Sequence, residues 1–104
     1  MRRVLLAALA LVALSAAAQS QSYPTRSITL IVPFPAGGPS DTLARVFVEP
    51  LRQQLGQAVI IENVGGAGGS IGTGRVARAV PDGYTLILGH VQTHVMNAAT
   101  QTLP

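Results

Sequence analysis

The segment Ile28-Thr-Leu-Ile-Val-Pro-Phe-Pro-Ala-Gly-Gly-Pro-Ser-Asp41 decides how this chain of 104 residues folds. It opens with a short apolar run rich in β-branched side chains, which predicts a buried strand. The prolines that follow have no backbone N–H to donate, so the strand ends there, and Gly37 and Gly38 allow a tight turn. Ser40 and Asp41 are preferred N-cap residues, and an apolar helical period comes next. Strand, turn and helix N-terminus together aim free backbone N–H groups at one point, which predicts a site for a carboxylate or phosphate.

Strands and helices alternate along the rest of the chain. The expected elements are a strand at 27–32, a helix at 41–55 closed by Gly56, a strand at 58–62, a helix at 71–79, a strand at 84–88 and a weak helical start at 95–99. Short strands joined by single helices predict parallel pairing and an α/β fold. The loops after the strands then open at the same edge of the sheet, where α/β proteins bind ligands.

Both predicted helices carry apolar residues at helical spacing. On the first helix, the face expected to pack on the sheet consists of Leu43, Val46, Phe47, Leu51 and Leu55. Pro50 should kink or split this helix, because proline removes a backbone hydrogen bond. On the second helix, Val76 and Val80 are expected to face inward.

The first eighteen residues have the pattern of an export signal. Arg2 and Arg3 precede an apolar run at 4–14, and small residues at 16–18 fit a cleavage site before Gln19. We therefore expect residues 1–18 to be a cleaved signal peptide, the protein to be periplasmic, and no stable membrane insertion to remain after cleavage. The sequence has no cysteine, which excludes disulfides and cysteine nucleophiles and fits a bacterial periplasm.

The charge of the exported part gives no support for nucleic-acid binding. Without Arg2 and Arg3, five arginines face four acidic residues, so the net charge falls from +3 to +1. No cluster of arginines and no strip of basic and aromatic residues is present. Nucleic acid is therefore not an expected partner.

One glycine motif raises the possibility of a hydrolase. Gly68-Gly-Ser-Ile-Gly72 matches the nucleophile elbow, and Asp82 and His90 or His94 follow in the order of a catalytic triad. An elbow serine follows its strand directly, whereas glycine-rich residues separate Ser70 from the preceding strand. A serine hydrolase that uses Ser70 is kept as the alternative function.

Two other patterns suggest a cofactor or a metal, and neither context fits. Gly72-Thr-Gly-Arg-Val-Ala77 matches the dinucleotide fingerprint, but no strand ends directly before it and no acidic residue follows about 20 residues on. His90 and His94 are four residues apart, yet no cysteine or carboxylate is near them in sequence to complete a metal site. We therefore expect no cofactor and no metal.

Ordered motifs across the exported part resemble a known family. They are Tyr23-Pro24, Ile31-Val-Pro-Phe-Pro-Ala-Gly-Gly-Pro-Ser-Asp41, Leu55-Gly-Gln57, Val59-Ile-Ile-Glu-Asn63, Gly66-Ala-Gly-Gly-Ser-Ile-Gly72, Pro81-Asp-Gly-Tyr-Thr-Leu86 and Thr93-His-Val-Met-Asn97. The chain thereby resembles the Bug (TctC-like) family of periplasmic solute-binding proteins, which serve tripartite tricarboxylate transporters. The resemblance implies a two-domain flytrap fold that closes on a small carboxylate without catalysis, with membrane components of such a transporter as partners.

The resemblance also implies which residues bind the ligand, largely through backbone groups and bound water. The matching positions are Phe34, Pro35, Ala36, Gly37, Gly38, Ser40, Asp41, Gly66, Ala67, Gly68, Gly69, Ser70, Gly89, Thr93 and His94. Asp41 has two compatible interpretations, a helix cap and a partner for an amino or amide group of the ligand. Because an acid repels a carboxylate, we expect Asp41 to select among carboxylates and not to hold the carboxylate itself.

The chain departs from the family pattern in two respects. Val64-Gly65 stands where family members commonly have an Arg-Pro pair, so we expect a more flexible loop. The family chain is also much longer. Residues 19–104 are expected to form an incomplete first domain, with the second domain absent, and to supply only one wall of the site. Ligand binding by the 104 residues alone is therefore expected to be impaired.

Overall fold

The computed structural model describes residues 22–100, and the predicted signal peptide lies outside them. The elements alternate as the sequence predicts: β1 (Ile28–Val32), α1 (Pro39–Leu55), β2 (Val59–Asn63), α2 (Ser70–Ala77), β3 (Thr85–Ile87) and α3 (Asn97–Thr100). A single 3-10 turn at Ala67–Gly69 precedes α2, and a π-helical turn at Gln92–Met96 precedes α3. Within the described residues, no helix combines the length and the apolar character needed to span a membrane.

The three strands form one parallel sheet in the order β2-β1-β3. Leu30 of β1 lies opposite Ile61 of β2 and Leu86 of β3. Since all three strands run the same way, the loops that follow them open at one edge of the sheet. This confirms the predicted α/β class and parallel pairing.

The central strand β1 supplies most of the core. Ile28, Ile31 and Val32 are at most 1% exposed, because strands pair on both sides of β1 and helices cover it. The core between the sheet and α1 contains Leu30, Val32, Ala44 and Val59, with Val48, Leu55, Ile61 and Leu88 packed against it. The position of β1 therefore fixes where its following loop, and with it the start of α1, must lie.

Helix α1 begins earlier than predicted and is not split. Its N-cap is Gly38 and its first residue is Pro39, so Ser40 and Asp41 lie inside the first turn. Proline is favoured at the first helical position because the N–H that it lacks would be unpaired there anyway. The helix also runs through Pro50. Because proline has no N–H, the carbonyl of Val46, one turn earlier, lacks its helical partner. Both residues are exposed, so water can hydrogen-bond to this carbonyl. Gly56 ends the helix in the left-handed conformation, as predicted.

The predicted buried face of α1 is wrong for four of its five residues. Leu43, Val46, Phe47 and Leu51 are 49%, 64%, 52% and 38% exposed, and we call them the outer stripe. Only Leu55 of the predicted face packs on the core. The sheet instead receives Ala44 and Val48, because the small side chain of Ala44 allows the helix to approach closely. The inward face predicted for the second helix is also wrong in part. Val76 in α2 is half-buried, whereas Val80 lies after the end of α2 and is 73% exposed.

Candidate functional site

The loop between β1 and α1 brings a helix N-terminus to the carboxyl edge of the sheet. The first amides of a helix have no partner within it. In α1 these belong to Ser40 and Asp41, since Pro39 has no N–H and the Thr42 amide donates to the Gly38 carbonyl at 2.9 Å. The dipole of a 17-residue helix adds partial positive charge at this point. This turn can therefore attract an anion, as the sequence predicts.

Asp41 ties this loop to the neighbouring elements. Its side chain is 3% exposed. Its Oδ2 accepts hydrogen bonds from the Gly37 amide at 2.8 Å and from Arg45 Nε at 2.9 Å. Its Oδ1 accepts from Asn63 Nδ2 at 3.1 Å, and the same amide nitrogen donates to the Phe34 carbonyl at 3.1 Å. Asp41 thus joins the loop between β1 and α1, which we call the first loop, to α1 itself and to the end of β2.

These donors determine the charge of Asp41. Hydrogen bonds from the Arg45 side chain first, and from the Gly37 amide second, lower the pKa of Asp41 from 3.8 to about 2. The Asp41 hydrogen bond also raises the pKa of Arg45. The pair is therefore ionised at neutral pH and contributes no net charge to the loop.

The loop after β2 is held in left-handed backbone. Gly66, Ala67, Gly68 and Gly69 have φ values of 121°, 47°, 63° and 90°. Glycine adopts such values readily, whereas Ala67 does so at a cost. The loop is anchored by the Val64 amide, which donates to the Val32 carbonyl at 2.9 Å, so the two loops begin side by side.

The loop after β3 packs against the other two. The rings of Phe34 and His90 stack with centroids 4.6 Å apart. A Cβ on Gly69 would lie 2.6 Å from Thr93 Cγ2 and 3.3 Å from Phe34 Cζ, so the three loops meet where only glycine fits. Asn97, the first residue of α3, donates from Nδ2 to the Gly68 carbonyl at 2.9 Å. This hydrogen bond holds the loop after β2, which we call the second loop, against α3.

The structure therefore brings the three predicted groups of site residues to one edge of the sheet, with different exposures. Exposed are Pro35, Ala36, Gly37, Gly66, Ala67, Gly68, Gly89 and His94; half-buried are Phe34, Gly38, Ser40 and Ser70; buried are Asp41, Gly69 and Thr93. Their assignment to a ligand stays a prediction.

Sequence reasoning did not assign roles to Asn63 and Asn97, and it considered His90 only for a catalytic triad or a metal site. Asn63 and Asn97 each donate to a loop carbonyl 29 residues away in sequence. Both stood at the ends of the motifs quoted for the family resemblance, and this position was the available signal. His90 Nε2 is buried and has no hydrogen-bond partner among the described residues.

The geometry does not favour the hydrolase or dinucleotide motifs. Asp82 precedes β3 and pairs with Arg26 at 2.8 Å, so it lies at the amino edge of the sheet. Ser70 and His94 follow β2 and β3 and lie at the carboxyl edge, which keeps a triad from assembling. Gly72 lies inside α2, where a Cβ would be 2.7 Å from the Val64 carbonyl oxygen. It serves close packing and not a phosphate turn. Residues 22–100 contain no group of three or more side chains that could hold a metal.

The fold belongs to the α/β class with a parallel sheet, and comparisons identify its family. Residues 43–104 match the tripartite tricarboxylate transporter family receptor, TctC. A Bordetella bronchiseptica protein is 45% identical over 104 residues, covering 98% of this chain and 31% of the relative. BugT of Bordetella pertussis is 48% identical over 75 residues, covering 72% of this chain and 23% of BugT. The chain belongs to this family, which confirms the predicted resemblance.

Solved structures agree with the family and the fold. The periplasmic binding protein BugD is 55% identical with a TM-score of 0.61, over 62% of this chain and 22% of BugD. MatC from Rhodopseudomonas palustris with bound malate is 49% identical with a TM-score of 0.71, over 74% of this chain and 26% of MatC. The chain thus has the N-terminal part of a periplasmic-binding-protein fold, and it spans 22% to 31% of the length of these relatives.

Proposed function

We propose that this chain binds a small carboxylate in the periplasm, for delivery to the membrane components of a tripartite tricarboxylate-type transporter. The observation that carries the proposal is the convergence of the three loops beside the first-turn amides of α1, at the carboxyl edge of a parallel sheet. Structures of MatC with malate and of a second R. palustris protein with adipate, 45% identical over 64% of this chain, support a carboxylate as the ligand.

Backbone groups would hold the carboxylate. The loops themselves contain no lysine or arginine, and the Nε of the adjacent Arg45 is taken by Asp41 at 2.9 Å. The amides of Ser40 and Asp41, together with the helix dipole, provide attraction without a competing charge. Solute binding without catalysis is the activity that this arrangement supports.

The geometry of the three loops is best explained if they form one wall of a binding site. The loops lie at the surface, and most of the predicted residues that face solvent are glycine, alanine or proline. Small-molecule sites bury most of the ligand, commonly between domains. Because the relatives are several times longer than this chain, we propose that an opposing wall completes the site in the family fold.

The proposal is tested by observing backbone amides directly. The chain is labelled with ¹⁵N, purified from the periplasm of an expressing bacterium and titrated with malate, adipate and citrate up to millimolar concentration. Shifts are expected to concentrate at residues 36–42, 66–73 and 89–94, with succinamide as the uncharged control. Shifts spread over the whole chain, or equal shifts with succinamide, would contradict a carboxylate site at this edge.

Export is tested on the same material. N-terminal sequencing of the purified chain is expected to begin at Gln19, the residue after the proposed cleavage site. Recovery of the chain only from the cytoplasm, with Met1 or Arg2 at its start, would contradict a periplasmic function.

A further inference from the structure

We propose that His94 presents an unprotonated Nε2 at the carboxylate site, and that the site therefore favours carboxylates that also carry a hydroxyl or ammonium group. This inference rests on the proposed function and names the class of ligand. It follows from the hydrogen bonds of one hydroxyl group, that of Thr93.

Three groups lie within hydrogen-bond distance of Thr93 Oγ1. The His90 amide nitrogen is 3.1 Å away, the His90 carbonyl oxygen 2.9 Å and His94 Nδ1 2.7 Å. A hydroxyl has one hydrogen to donate and two lone pairs to accept with. The amide can only donate and the carbonyl can only accept, so the hydroxyl hydrogen belongs to the carbonyl and the remaining lone pair faces His94.

This assignment determines the tautomer of His94. If Thr93 gave its hydrogen to Nδ1 instead, its oxygen and the His90 carbonyl oxygen would face each other at 2.9 Å with no hydrogen between them. With Nδ1–H as the donor, all three contacts are hydrogen bonds. The neutral ring then carries its proton on Nδ1, and Nε2 is a hydrogen-bond acceptor.

The surroundings keep this nitrogen available. The His94 side chain is exposed, and no described residue hydrogen-bonds to its Nε2. The ring lies so close over Gly89 that any side chain there would displace it. Asp41, the acceptor that the sequence suggested for an amino group of the ligand, is 2% exposed and accepts three hydrogen bonds from protein donors. His94 is therefore better placed than Asp41 to accept a hydrogen bond from a ligand hydroxyl or ammonium.

The tautomer is measured first, on the chain purified from the periplasm at mildly alkaline pH. Long-range ¹H–¹⁵N correlation is expected to show a protonated Nδ1 and an unprotonated Nε2 for His94. Thr93→Val keeps the methyl that packs on Gly69 and replaces the hydroxyl with a second methyl, so it should shift the ring toward the Nε2–H form. Thr93→Ser, the matched control, keeps the hydroxyl and should retain the wild-type pattern. An Nε2–H tautomer in the wild type overturns the inference.

Selectivity is measured second, by titrating the same amides with malate, aspartate and succinate, which share two carboxylates and differ by one donor group. Malate and aspartate are expected to bind about three- to tenfold more tightly than succinate, the effect of one hydrogen bond. The difference should disappear in Thr93→Val and persist in Thr93→Ser. Equal binding of the three ligands at the loop amides overturns the inference and leaves the proposed function standing. No response of the loop amides to any ligand overturns both.

Discussion

At the scale of single residues, Asp41 links three parts of the candidate site. Its carboxylate receives hydrogen bonds from the first loop, from the next turn of α1 and from the end of β2. An aspartate in the first turn also complements the helix dipole. The side chain therefore stabilises the loop whose free amides we propose as the carboxylate donors.

Asp41→Asn is expected to lower the melting temperature at neutral pH. The folded pKa of about 2 lies below the ordinary value of 3.8. The stabilisation from the ionised group is therefore complete above about pH 4 and is lost as the pH falls through 2. The two melting curves should converge at acidic pH, as measured by circular dichroism. An unchanged difference between variant and wild type across this range would contradict the hydrogen-bonded carboxylate.

For His90 we predict the opposite effect, a substitution that makes the protein more stable. Its buried Nε2 has no hydrogen-bond partner among the described residues, and an unpaired buried polar atom costs about 1–3 kcal/mol. His90→Phe keeps a ring stacked on Phe34 and removes that atom, so the free energy of unfolding in urea should rise by about 1 kcal/mol.

The matched control for His90 is His94→Phe. This ring is exposed and its Nδ1 is bonded to Thr93 Oγ1, so its replacement should be neutral or destabilising. A His90→Phe variant that is less stable than His94→Phe would show that Nε2 makes a hydrogen bond in solution.

At the scale of elements, glycines set how closely the second loop and α2 approach the sheet. A Cβ on Gly72 would lie 2.7 Å from the Val64 carbonyl oxygen and 3.0 Å from Pro33 Cβ. A Cβ on Gly74, in the same helix, would meet only the end of the Arg78 side chain, at 3.2 Å. The two glycines therefore have different roles within one helix.

Alanine substitutions separate these roles. Gly72→Ala should lower the free energy of unfolding by about 1–3 kcal/mol, because the backbone of the second loop must move. Gly74→Ala should raise it by about 0.5–1 kcal/mol, since alanine is the better helix former and the arginine can move aside. Equal effects of the two substitutions in urea denaturation would contradict the close packing of α2.

The sequence predicted these elements well where local chemistry decides them. The prolines and glycines after Val32 and Gly56 after Leu55 marked real boundaries. It failed for the buried face of α1, because two apolar stripes share that helix and only packing on the sheet selects the one with Ala44. The roles of Asn63 and Asn97 were not predicted, because the loop carbonyls that they bind are 29 residues away in sequence. Local patterns carry no information about such pairs.

At the scale of the whole molecule, the described part of the chain exposes surfaces that proteins usually cover. The outer stripe of α1 is apolar and at least 38% exposed, and Ile60 on the edge strand β2 is 52% exposed. Strands β2 and β3 each have one unpaired edge within the described sheet. Exposed apolar surface and open edges favour association.

The chain is therefore expected to self-associate with increasing concentration in sedimentation velocity experiments. Val46→Glu combined with Phe47→Glu should reduce association, because both side chains lie in the outer stripe and are more than half exposed. Gln53→Glu combined with Gln54→Glu adds the same charge to the same helix without removing apolar surface, and should have a smaller effect. Equal suppression by both pairs would assign the effect to charge alone.

The most direct test of the central claim is a transplant into a longer relative. Residues 28–100 would replace the matching segment of MatC, and the chimera would be titrated by calorimetry with malate, succinate, adipate and citrate beside unmodified MatC. We predict saturable binding of at least one carboxylate near the micromolar range, about −8 kcal/mol, whereas the 104-residue chain alone binds more weakly. A chimera that unfolds cooperatively and binds none of the four, while MatC binds malate, would contradict a carboxylate site built from these three loops.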